Sequence, residues 1–175
     1  EKEGGSMIKQ QEKRLVSDVF KNIPAVDEAL VQKMLDDELL TFNQKIIVLD
    51  DDPTGVQTVN GISVYTDWSK DSIKQGFLEE NSMFFILTNS RGFTASETEK
   101  AHADIAAVIT EVAAEVDKEF LIISRGDSTL RGHYPLETEV LKKTVEQHSN
   151  QVLDGEVIFP FFKEGGRFTV DNIHY

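Results

Sequence analysis

The sequence predicts an α/β domain, a three-layer sandwich around a mainly parallel sheet, with ligand loops at the carboxyl ends of the strands. Continuous apolar runs of the kind found in buried parallel strands recur along the chain, beginning with KIIVLD at 45–50. Segments of helical periodicity separate them. The runs end in polar, glycine-rich loops: DDDPTG, TNSRG, SRGDSTLRGH and FPFFKEGGRFT. In parallel sheets such loops lie side by side on one edge and form one site.

The opening EKEGGS, residues 1–6, reads as an expression scar and is set aside. Residues 7–44 form an N-terminal helical segment. Val16, Val19, Phe20 and Ile23 repeat at helical spacing, and Pro24 ends that stretch or starts the next. Val26, Ala29, Leu30 and Met34 continue the pattern, so residues 12 to 41 read as two helices. The α/β domain spans 45–175. After KIIVLD come ISVYT (62–66), MFFILT (83–88) and FLIIS (120–124) as strands. A fifth run, VIFPFF (157–162), reads as a strand that stops at Pro160, which lacks the N–H a ladder needs. Thr94 and Glu97 form a capping box ahead of Ile105, Val108, Ile109, Val112 and Val116, which share one helix face. Pro135 suits a first helical position ahead of Leu136, Val140, Leu141 and Val145. Strands alternating with helices imply right-handed crossovers and a sheet covered on both faces.

At 175 residues the chain can bury one good core. Its net charge of -13 argues against nucleic acid, whose phosphates call for clustered Lys and Arg. No apolar run is long enough to span a membrane. The absence of cysteine excludes disulfides and thiolate metal sites and fits a cytoplasmic protein. The arginines are unevenly placed: Arg91, Arg125, Arg131 and Arg167 each sit in a loop just past an apolar run. That placement points to a small anionic ligand.

The loops hold the chemistry. A turn needs one aspartate, whereas Asp50, Asp51 and Asp52 repel one another unless a cation, a proton transfer or several hydroxyls hold them together. SRGDSTLRGH packs Ser124, Arg125, Asp127, Ser128, Thr129, Arg131 and His133 into ten residues. Guanidinium groups clamp carboxylate or phosphate, while Asp and Ser suit sugar hydroxyls. TNSRG adds Asn89, Ser90 and Arg91, and KEGGRFT adds Lys163, Glu164 and Arg167. His102 and His148 fall on helices and read as surface residues. No His, Asp and Glu set has zinc-site spacing, and no phosphate-cradling glycine motif follows a strand.

One reading of Asp50-x-Asp52-x-Thr54 is a haloacid-dehalogenase-type phosphatase. Asp50 is then the nucleophile and Asp52 the acid/base, with Thr88 or Ser90 holding the phosphate. The later acidic pair that such a magnesium site requires is missing, because SRGDSTLRG offers only Asp127 beside two arginines. Taken in order, LDDDPTGVQTV, TNSRG, SRGDSTLRGHYPLE and FFKEGGRFTVDNIHY resemble the N-terminal domain of the four-carbon acid sugar kinase family, from about Lys45 to Tyr175.

That resemblance implies an ATP-dependent kinase acting on threonate, erythronate or a 3-oxo-tetronate, with phosphate going to the terminal hydroxyl. It implies that the sugar acid binds on this domain, and that ATP with magnesium binds mainly on a separate C-terminal domain. Carried over by position, Asp50, Asp51 and Asp52 are polyol-binding and catalytic candidates, one of them the general base. Arg91, Arg125 and Arg131 are candidates for the carboxylate, and Asp127 and Ser128 for hydroxyls. Lys163 and Arg167 lie toward the incoming phosphate, and Asn89, Ser90, Ser124 and His133 complete the substrate-binding set. Val56 departs from the small or hydroxylated residue expected after DPTG. The family's nucleotide domain has no counterpart before Tyr175, so this piece is expected to bind substrate and hardly turn it over. A non-catalytic sugar-acid sensor is a third reading, and the two N-terminal helices could cover a partner or an absent domain.

Overall fold

The computed structural model describes residues 13, 15–21 and 23–175, which divide into a unit ending at Phe42 and a unit from Asn43 to Tyr175. The proposed scar at 1–6 lies outside the described residues. The first unit contains α1 (Val16–Phe20) and α2 (Glu28–Leu39). Asp27 caps α2, its carboxylate accepting from the Leu30 N–H at 3.0 Å. Within this unit Leu30, Val31, Met34 and Leu35 are exposed.

The second unit is the α/β sandwich that the alternating pattern predicts. In chain order it runs β1 (Lys45–Asp50), β2 (Val64–Tyr65), α3 (Lys70–Leu78), β3 (Met83–Leu87), α4 (Ala95–Val116), β4 (Phe120–Arg125) and α5 (Leu136–His148). The strands pair in parallel in the order β2-β3-β1-β4. A short antiparallel hairpin, β5 (Thr169–Val170) and β6 (Ile173–His174), follows. β1 is central, and burial along its length matches its unbroken apolar run.

Ile47, Leu49, Phe84, Ile86 and Phe120 project from one sheet face into the core. They meet Ile73 and Phe77 of α3, Ile105, Ile109 and Val112 of α4, and Leu141 and Val145 of α5. Phe77 packs edge-on against Phe84 and Phe120, with ring centroids 6.0 Å and 6.4 Å away. Gly76 lets α3 approach the sheet, since a β-carbon there would stand 2.9 Å from the Phe84 ring. The capping box at Thr94 and Glu97 forms as expected and starts α4; Asp117, at φ 52°, ends it. On the opposite sheet face Val48 and Phe85 are buried, while Leu121 and Ile123 are exposed. Side-chain alternation puts Asp50 and Arg125 on that second face.

Three expectations need correction. VIFPFF forms no strand: Val157, Ile158, Phe159 and Phe161 are exposed, and only Phe162 makes a bridge, to Arg167. A strand needs a partner ladder as well as β-propensity, and Pro160 removes a donor from a run that finds no edge. ISVYT shortens to Val64–Tyr65 for lack of a longer register with β3. His102 is not a surface residue; it is 2% exposed on the inner face of α4, its Nδ1 2.9 Å from the Thr98 carbonyl oxygen. Its spacing from Thr98, Ile105 and Ile109 puts it in phase with the core stripe. His148 is exposed, as expected. No helix among the described residues is long and apolar enough to cross a membrane.

Candidate functional site

The parallel register sets Asp50 at the end of β1 directly beside Arg125 at the end of β4. Arg125 Nη1 lies 3.4 Å from Asp50 Oδ1 and 3.5 Å from Oδ2. Asp50 is 1% exposed because the chain folds back and lays Gly55 over it. A β-carbon at position 55 would fall 1.9 Å from Asp50 Oδ2, so the DPTG turn admits only glycine there. Burial pushes the Asp50 carboxyl above its ordinary range, against the pull of Arg125 and of a backbone hydrogen bond from Asp52.

The next two aspartates share one arginine. Arg91 Nε donates to Asp51 Oδ2 at 3.0 Å and Nη2 to Asp51 Oδ1 at 2.7 Å, a bidentate fork. Its Nη1 donates to Asp52 Oδ2 at 2.8 Å. The Thr54 N–H donates to Asp52 Oδ1 at 2.8 Å, and the Thr54 hydroxyl donates to the same oxygen. These two bonds, together with Arg91, hold the Asp52 carboxyl below the usual range. The three aspartates differ in access: the Asp51 side chain is 5% exposed and that of Asp52 24%.

TNSRG is held in place by the backbone. The Thr88 N–H and Oγ1 both donate to the Asp50 carbonyl, at 2.9 and 3.0 Å, and the Arg91 N–H donates to the Asp51 carbonyl at 3.2 Å. Ser90 is fully buried with its Oγ 3.0 Å from Thr88 Oγ1, so both hydroxyls brace the loop. Asn89, in left-handed conformation at φ 54°, is the exposed tip.

SRGDSTLRGH closes on the same edge. Asp127 accepts a fork from Arg131, Nε at 3.0 Å and Nη2 at 2.9 Å, and also accepts from the Thr129 N–H and hydroxyl. Arg131 above all, with Thr129, holds the Asp127 carboxyl well below the carboxylate range. Arg167 brings in the last loop: its backbone bridges Phe162, and its Nη1 reaches Asp127 Oδ1 at 3.4 Å. Lys163, by contrast, is exposed on the turn Lys163–Gly165 and makes no hydrogen bond or ion pair to the aspartates. Ser124 is half-buried opposite Leu49, on the helix-facing side of β4 and away from Asp50.

Gly126 and Gly132 press this loop onto Asp51; β-carbons there would stand 3.6 and 3.2 Å from Asp51 Oδ2. Gly132 has φ +129°, a conformation side chains avoid. The buried Ser128 Oγ, His133 Nε2 and Glu137 Oε1 have no hydrogen-bond partner. Glu137, in the first turn of α5, escaped the sequence reading. Its signal was phase: it precedes the buried Leu141 and Val145 at helical spacing, so an acid there faces inward. Burial pushes its carboxyl up, with His102 opposing, Asp51 adding and His133 opposing.

Among the described residues no group of three or more His, Asp or Glu side chains is arranged to hold a metal ion. The phosphatase reading loses its nucleophile, because Asp50 lies under Gly55 with both oxygens toward Arg125, where a phosphate ester has no approach. The edge instead presents arginine and carboxylate groups in fixed pairs, with guanidinium N–H groups and acceptor oxygens to spare, which suits a small ligand bearing both carboxylate and hydroxyls.

No curated protein and no solved structure matches the chain. A family model described as Sugar-binding N-terminal domain matches residues 46–175, almost the whole α/β unit. The chain therefore belongs to that sugar-binding family, the N-terminal domain of four-carbon acid sugar kinases.

Proposed function

We propose that the α/β unit holds a four-carbon sugar acid, threonate, erythronate or a 3-oxo-tetronate, for phosphorylation of its terminal hydroxyl. ATP with magnesium comes from a separate nucleotide-binding domain. The observation that supports the reading is the convergence of Asp50–Arg125, Asp51/Asp52–Arg91 and Asp127–Arg131 at the carboxyl ends of β1, β3 and β4. A sugar-binding domain that binds a neutral sugar has little use for so many arginines. A sugar acid needs both kinds of group, guanidinium for its carboxylate and carboxylate for its hydroxyls.

Roles divide by access. Asp50 is sealed and orients Arg125, whose contacts at 3.4 and 3.5 Å are long enough to yield to a ligand carboxylate. Arg91 donates once from each nitrogen to Asp51 and Asp52, which leaves one N–H on each terminal nitrogen. Asp52 is the most accessible of the three aspartates and is the one set to accept the proton of the attacking hydroxyl. Its low pKa makes it an orienting acceptor more than a strong base, which is adequate for a loose phosphoryl-transfer transition state. A cytoplasmic setting follows from the need for ATP, and the cysteine-free chain is compatible with it.

The test is calorimetric titration of the chain with D- and L-threonate, D- and L-erythronate and a 3-oxo-tetronate, with Asp51→Asn alongside. Binding of one acid, lost in the variant, is the expected result. Equal binding by both proteins overturns the site, and binding of neutral tetritols in preference to every acid overturns the substrate class.

A further inference from the structure

We propose that the groove lined by Trp68 and Phe93 seats an arginine side chain presented by the surface of a partner protein. This groove lies outside the aspartate and arginine pairs described above, and its role does not depend on the sugar-acid reading.

Trp68 lies between the end of β2 and the start of α3, and Phe93 between the end of β3 and the start of α4. Both therefore stand on the carboxyl edge of the sheet, toward its β2 side. The groove has a volume of about 220 Å³ and is completed by Glu97, Lys100, Ala101 and Asp104, which share one face of α4 at spacings of three and four. Trp68 packs against the core, and both rings are half-buried. Among the described residues neither is paired with another aromatic ring. Glu97 Oε2 accepts from the Thr94 N–H and hydroxyl, each at 2.8 Å, and Asp104 Oδ2 pairs with Lys100. Each acid thus keeps its second oxygen for a ligand, and two carboxylates against one lysine leave the groove net negative. Aromatic faces beside carboxylates suit a flat cation with several N–H donors, and guanidinium is that group: it stacks on a ring while its fork meets carboxylate oxygens. Sites that enclose a free small molecule usually have about 300–1,000 Å³, so this groove has room for a side-chain head and little more. A side chain carried on a protein surface fits that size, and the net charge of -13 favours a basic partner.

Trp68 is the only tryptophan of the chain, so its fluorescence reports on the groove directly. The experiment titrates the chain with the peptide acetyl-Gly-Arg-Gly-amide and with its lysine and citrulline counterparts, at constant ionic strength. The expected result is a saturable change in Trp68 emission, with the arginine peptide binding at least about tenfold more tightly than the neutral citrulline peptide and several-fold more tightly than the lysine peptide. Asp104→Asn, at an exposed position, is expected to weaken the arginine peptide at least about threefold, with thermal melting to confirm that the variant folds. Phe93→Leu, which removes one ring, runs in parallel and is expected to weaken it similarly. No saturable change, equal binding of the citrulline peptide, or unchanged affinity in folded Asp104→Asn overturns the proposal. Tighter binding of adenosine than of the arginine peptide also overturns it and assigns the groove to a nucleobase. The sugar-acid reading stands or falls separately, on the titration with tetronic acids.

Discussion

Gly55 lies on top of the Asp50 carboxylate, so near that a β-carbon at position 55 would fall 1.9 Å from Asp50 Oδ2 and 1.8 Å from Arg125 Nη1. The turn after β1 thus closes over the first aspartate and leaves the second and third to face the neighbouring loops. Gly55→Ala is expected to destabilise the unit by about 1–3 kcal/mol, the usual penalty for forcing volume into a packed site. Urea unfolding reads the loss as a lower midpoint. An unchanged midpoint would mean that the turn moves aside and that the seal over Asp50 is dispensable.

Arg91→Ala leaves the Asp51 carboxylate buried without its fork. Breaking a buried pair from one side costs about 3 kcal/mol, and the partial exposure of Arg91 puts this pair toward the lower end. Arg91→Lys restores charge but not the planar fork and is expected to recover less than half of the loss in chemical denaturation. Full recovery by lysine would show that charge alone, without bidentate geometry, holds the loops together.

The acid limb of stability follows from Asp127 and Asp52, whose folded pKa values are depressed. Such groups contribute stability above their unfolded pKa of about 3.9, and that contribution disappears as pH falls through the folded value. Asp50 and Glu137 act in the opposite sense: burial raises their folded pKa, so they disfavour the fold as pH rises from the unfolded value through the folded one. Unfolding midpoints measured from pH 2 to pH 5, roughly the window these shifts define, are expected to fall less steeply in Asp127→Asn. An identical slope would assign the acid sensitivity elsewhere.

Much of this arrangement was legible in the sequence for local reasons. KIIVLD announces a central parallel strand because both faces are buried, and the Thr94–Glu97 box marks a helix start whose bonds span three residues. The site edge was legible because parallel topology brings strand ends together whatever their order. VIFPFF misled because pairing depends on a free edge, which composition does not encode. Which aspartate is buried was also hidden, since it depends on Gly55 folding back across the strand end. His102 and Glu137 were readable in principle from helical phase, but an ionisable residue on an inward face contradicts the usual expectation for such side chains.

Lys163 and Arg167 share one loop but differ in what they reach. Arg167 Nη1 is 3.4 Å from Asp127, whereas Lys163 is exposed and makes no bond to the aspartates. Lys163→Ala is therefore expected to leave sugar-acid affinity for this chain within about twofold, as surface substitutions away from a site do. Arg167→Ala loosens Asp127 and weakens binding several-fold. Equal effects of the two variants in calorimetry would show that the loop acts as a whole and not through Arg167.

Arg125 offers the clearest separation between holding the fold and holding the ligand. Its contacts to Asp50 are long, and its side chain is a third exposed at the end of β4. Arg125→Ala is expected to weaken sugar-acid binding by about 1–3 kcal/mol, the loss of a charge-assisted clamp. It also leaves Asp50 without its guanidinium, so the carboxyl that burial already pushes up rises further and takes a proton at higher pH. Losing the partner of a buried carboxylate also costs stability, so Arg125→Ala is expected to lower both the binding affinity and the unfolding midpoint. Calorimetry and urea unfolding on the same preparation separate the two effects. Lost stability with unchanged affinity would make Arg125 a structural partner of Asp50 and move the ligand carboxylate to Arg91 and Arg131.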